Sequence, residues 1–100
     1  MPEYPDPQQM EMITVSTAVK TLTSTKYAPS GGGQVFHALI SINGADVRYT
    51  MNGTDPVAGS IGHLLSDGDA MVIYGKESIM NFKCIRNAST DALLAATYFF

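Results

Sequence analysis

The chain has 100 residues, a net charge of −3 and an isoelectric point near 5.0. That length allows one domain with one modest core and excludes a two-domain enzyme. The basic residues Lys20, Lys26, Arg48, Lys76, Lys83 and Arg86 are scattered along an acidic chain, which excludes a concentrated nucleic-acid-binding surface.

Residues 1–12 read as an extended, proline-rich arm. Pro2, Pro5 and Pro7 remove backbone donors and favour a polyproline-like path. Two readings stay open: a frayed terminus, or a strap that orders on a neighbouring subunit through Tyr4, Met10 and Met12. The segment is acidic, unlike a secretory leader. No run of apolar residues is long enough to predict a membrane span.

Residues 13–100 read as a single domain. Residues 13–27 are rich in Thr, Val and Ile, which suit one or two short strands. Pro29 to Gly33 is a flexible loop. No Lys-Ser or Lys-Thr follows it, so it lacks the phosphate-binding pattern. Residues 34–43 alternate with period two: Phe36, Ala38, Ile40 and Ile42 share one face, and Val35, His37, Leu39 and Ser41 the other. Asn43-Gly44 signals a hairpin into a strand over 45–51, which places Val47, Tyr49 and Met51 opposite Arg48 and Thr50. Asn52 to Pro56 is a turn cluster.

Residues 57–69 read as loop, ending in Ser66-Asp-Gly-Asp69. Residues 70–74 predict a strand closed by Gly75. Residues 77–80 fit a helical turn or an irregular edge. Strands are expected at 81–86 and 92–99, with a turn at 87–91. Both faces of the last strand are apolar. It is therefore either central in the fold or packed against another chain, and Tyr98, Phe99 and Phe100 suit an interface anchor. Short strands at regular spacing predict an all-β fold, a small antiparallel sandwich or barrel.

The chemistry-bearing residues assemble into no recognisable catalytic pattern. Cys84, the one cysteine, excludes an internal disulfide and reads as a small core residue. His37 and His63 are far apart with no third ligand between them, so no metal site is assigned. Asn52, Asp55, Asp67 and Asp69 supply oxygen but lack the spacing of a calcium loop; Asp-Gly-Asp before a strand is a turn pattern. No Gly-x-Ser-x-Gly elbow is present. No enzyme and no cofactor are expected. Only 15% of residues are charged, against about 25% in an average soluble domain. That composition suits a chain that buries much of its surface against partners.

Several words stand out in the second half: Val47-Arg-Tyr-Thr-Met-Asn-Gly-Thr-Asp-Pro56, Gly62-His-Leu-Leu65, Gly68-Asp69, Asn81-Phe-Lys-Cys-Ile-Arg86, Thr90-Asp-Ala-Leu-Leu94 and the Thr97-Tyr-Phe ending. Through them residues 46–100 resemble a family of small tailed-phage virion proteins. Asn52 replaces the Asp usual in the family's turn, which keeps the turn chemistry. The resemblance implies a structural role in the virion, after assembly in the host cytoplasm. The expected role is capsid decoration or cementing, with the major capsid protein or neighbouring virion subunits as partners and homo-oligomeric copies. A head–tail connector, neck or tail-adaptor role is the alternative. For Arg48 and Arg86 two readings stay open: pairing with acids on neighbouring chains, or solvated strand positions. The Tyr49-Thr-x-x-Gly-Thr-x-Pro56 word is also similar to sandwich modules appended to chitin- and hexosamine-processing enzymes. It supports a sandwich and suggests a third role, a carbohydrate-binding module with Tyr27, Tyr49 or Tyr74 as stacking platforms.

Overall fold

A computed structural model describes residues 7–28 and 34–100. Within them lie β1 (Pro7–Val15), β2 (Lys20–Thr21), α1 (Ser24–Tyr27), β3 (His37–Asn43), β4 (Val47–Thr50), β5 (His63–Leu65), β6 (Ala70–Tyr74), α2 (Lys76–Met80), β7 (Lys83–Arg86) and β8 (Ala92–Phe99). Two open four-stranded sheets form, in the orders β1-β8-β3-β6 and β2-β7-β4-β5. Every paired neighbour runs antiparallel. The fold is an all-β sandwich, and neither sheet closes into a barrel.

Period-two patterning places the core. In β3, Ala38, Ile40 and Ile42 are buried, and in β8 so are Leu94, Ala96 and Tyr98. They join Ile73 of β6, Val47 of β4, Leu65 of β5 and Cys84 of β7 in one cluster, with Ile79 and Phe82 at the α2–β7 corner. Each large side chain so removed from water contributes roughly 1.5–3 kcal/mol before entropy is counted. The last strand is central, held by β1 on one side and β3 on the other.

Other expectations are corrected. Asn43-Gly44 does not close a hairpin: β3 and β4 lie in different sheets. The Gly44 N–H donates to Asp67 Oδ1 at 2.9 Å, and the Asp67 N–H donates to Asp46 Oδ1 at 2.8 Å. These bonds hold the chain as it crosses from one sheet to the other. Gly44 takes φ +97° there, a left-handed value open to glycine. Phe36 is not a core residue. It precedes β3, outside the strand's pleat, and is 59% exposed, whereas Val35 is buried. Thr50, not Met51, is buried at the end of β4; its hydroxyl donates to the Thr54 carbonyl inside the turn. The segment read as loop over 57–69 contains β5. Residues 77–80 are helical, within α2.

The expected arm boundary at residue 12 falls inside β1. Residues 7–12 belong to a strand paired with β8 at the edge of the first sheet. Tyr4, Pro2, Pro5 and the Pro29–Gly33 loop lie outside the described residues.

Candidate functional site

The outer face of the first sheet is the most distinctive surface of the molecule. Side chains at alternate positions of β1, β8, β3 and β6 point away from the core. The register sets Met10, Thr97, Leu39 and Val72 in one row. Met12, Ala95, Ser41 and Ala70 form the next. Phe99, His37 and Tyr74 close one end, and Thr14, Leu93 and Asn43 the other. Among the described residues, no Asp, Glu, Lys or Arg stands on this face.

Such a face is unusual for a solvent-facing antiparallel sheet, which normally alternates apolar-in with polar-out. Here Met10, Met12 and Leu39 are exposed by 55%, 52% and 40%. Each is a large apolar side chain left in water. At the closed end His37 stacks on Phe99, ring centroids 4.5 Å apart and planes 20° apart, with Tyr74 tilted against its other side at 5.8 Å. The imidazole is thus part of an aromatic row.

One charged residue of β1, Glu11, points the other way. Its carboxylate accepts the Tyr98 hydroxyl at 2.6 Å and the Thr23 N–H at 3.0 Å, with the Thr23 hydroxyl as a third donor. The outer strip of β1 is neutral because its carboxylate is turned in and bonded.

The outer face of the second sheet differs. Arg48 and Lys83 stand there, each engaged within the chain. Arg48 donates from Nε to Asn87 Oδ1 at 2.8 Å and from Nη1 to the Gly62 carbonyl at 3.1 Å. Lys83 pairs with Asp55 at 2.7 Å. Arg86 pairs with Asp91 at 2.6 Å. Arg48 and Arg86, candidates for pairing with acids on neighbouring chains, each have these partners within the chain.

The remaining candidates separate by burial. Tyr98 is fully buried, with Tyr27 packed edge-on at 6.1 Å; it is a core residue and presents nothing to a partner. Burial, then the bond to Glu11, pushes its phenol well above the ordinary tyrosine range. Phe100 is half-buried against the core. Phe99, Met10 and Met12 do share one surface, the neutral face. Cys84 is buried, and burial raises its thiol to about 12, opposed weakly by Lys20. The thiolate that a nucleophile needs is thereby disfavoured.

His37 and His63 lie on different sheets. Among the described residues, no three His, Cys, Asp or Glu side chains converge as a metal site would require. Asp69 accepts the Ser66 N–H and Asn52 the Thr54 N–H, both local turn bonds, and Asp67 accepts the Gly44 N–H across the crossing between the sheets. A cleft of about 510 Å³ lies beside Met51, Ile61 and His63. Of the tyrosines named as sugar platforms, Tyr27 is buried and Tyr49 is packed against Phe82 at 5.7 Å. Tyr74 is 72% exposed and belongs to the neutral face.

Sequence reasoning missed Leu39, Val72, Leu93 and Ala95 as a shared surface. A signal was present: the segments 35–43, 70–74 and 92–99 contain no Asp, Glu, Lys or Arg at all. That three such strands are neighbours was not visible. No protein-family model matches the chain, and no curated protein or solved structure is found similar to it.

Proposed function

We propose that the chain is a non-enzymatic structural component of a tailed-phage virion, a decoration or cementing subunit of the capsid. It seats the neutral outer face of β1-β8-β3-β6 on an apolar, uncharged surface of the major capsid protein. One observation carries the docking part of this reading: no formal charge stands on that face among the described residues. Burying an ion without a partner costs several kcal/mol. A face with no ions meets no such penalty and gains from each apolar side chain it removes from water. The virion part is supported by the resemblance in residues 46–100. Repetition over a lattice turns a modest contact energy into strong retention.

The test is reconstitution. Purified chain is added to phage heads that lack it, and occupancy is read by cryo-electron microscopy. Decoration requires copies at lattice positions over the whole shell, first sheet towards the shell, and loss of occupancy with Leu39→Lys. A single ring at one vertex would make it a head–tail connector or tail adaptor. Empty shells at saturating protein would overturn both.

A further inference from the structure

We infer that the free edge of β1 pairs with β1 of a second copy across a two-fold axis, joining two first sheets into one continuous sheet. Among the described residues, four strand edges border the sandwich: β1, β2, β5 and β6. Proteins guard such edges by shortness, charge, proline or bulges. β2 has two residues and β5 three. β6 has five and runs at once into Gly75 and α2. β1 has nine, and among the described residues no backbone hydrogen bond joins its far side to another element. Its irregularity is confined to the start, between Pro7 and Gln9. From Gln9 to Val15 it holds neither proline nor lysine.

The chemistry of this edge suits its own copy. An antiparallel strand paired with itself is isologous, so every group meets its equivalent. A charge pointing outward would meet a like charge. Glu11 carries the one formal charge between Gln9 and Val15, and it is turned inward onto Tyr98 and Thr23. Met10, Met12 and Thr14 would face the same neutral set across the axis.

Area points the same way. Four strands spaced about 4.8 Å apart and about 24 Å long give a footprint of roughly 450 Å², whereas a stable interface needs about 800 Å² per partner. Two sheets joined through β1 present roughly 900 Å² as one neutral surface. This area argument rests on the docking reading above; the edge argument does not.

The test uses the full chain. Sedimentation equilibrium from micromolar to millimolar concentration is expected to give the mass of two copies, and Met12→Lys to return it to one. Of Met10→Cys, Met12→Cys and Thr14→Cys, at least one is expected to form a disulfide-linked dimer on mild oxidation. Val72→Cys and Leu39→Cys are expected to form none. Cys84, buried, stays silent in all of them. A one-copy mass throughout, or linkage only through Val72 or Leu39, would overturn the pairing. Shell occupancy is scored separately. A monomer that still coats shells removes the pairing alone; a dimer that never coats them removes the docking alone.

Discussion

The hydroxyl of Tyr98 donates to the Glu11 carboxylate at 2.6 Å, tying the largest fully buried side chain of the core to the edge strand. The two residues are 87 positions apart in sequence. Thr23 completes the carboxylate's shell from the stretch before α1. The bond fastens β1 to the body of the sandwich, and it keeps the strand's acid off both the outer face and the free edge.

Removing the hydroxyl tests that anchor. Hydrogen bonds to charged groups are worth about 1.5–3 kcal/mol, so Tyr98→Phe should lower unfolding free energy by about 2 kcal/mol. Glu11→Ala should cost more, because it leaves the buried hydroxyl unpartnered. Urea unfolding measures both. Equal stability of Glu11→Ala and the parent would show that the bond holds nothing.

Alkaline pH should weaken the fold. Burial raises the Cys84 thiol from 9.0 to about 12, and burial with the Glu11 bond raises Tyr98 above its ordinary 10. Above each ordinary value the unfolded chain binds fewer protons than the native one, so stability falls as pH rises. Their contribution is fully present below about pH 9. It should then decline by at most about 1.4 kcal/mol per pH unit for each group. Cys84→Ala should flatten the fall that begins near pH 9, and Tyr98→Phe the part that begins near pH 10. Urea midpoints against pH read this directly.

Gly62 is irreplaceable for a local reason. It sits at φ +118°, and a Cβ there would lie 2.9 Å from the Tyr49 carbonyl oxygen and 3.3 Å from Arg48 Cβ. Backbone on β4 cannot give way without breaking its pairing with β5. Gly62→Ala should cost about 2–4 kcal/mol. Gly68→Ala, whose added methyl meets nothing within 4 Å, should cost only the smaller penalty of positive φ. Thermal melts of the two variants should separate clearly.

Leu39 and Ile40 are neighbours with opposite duties. Ile40 is fully buried, and Leu39 points out from the centre of the neutral face. Ile40→Ala should cost about 2–4 kcal/mol by transfer and cavity terms. Leu39→Lys should change stability by less than about 1 kcal/mol yet abolish shell binding. Chemical denaturation combined with a particle-binding assay distinguishes them. A Leu39→Lys variant that binds shells normally would remove the outer face from the function.

Much of the fold was legible because strand residues announce themselves by alternation. The pairs Ala38/Ile40 and Leu94/Ala96 fall on the core side as their spacing requires. The turn around Asn52 keeps its side-chain bond to Thr54. β5 was not legible: His63-Leu-Leu65 is too short to show a period, and its pairing with Val47 and Arg48 is what makes it a strand. Phe36 misled because an alternation continues in sequence beyond the place where the strand begins in space.

The sequence alone determined that this chain is a β protein, which residues of a strand share a side, and that charge is scarce in three of its strands. Only the tertiary structure decided that β8 lies between β1 and β3, that Asn43-Gly44 crosses between sheets, and that the neutral sides of those strands form one surface. The reason is range. Alternation is set by the pleat of each strand by itself, whereas neighbours are set by contacts far apart in the chain, such as Glu11 with Tyr98, which no local pattern records.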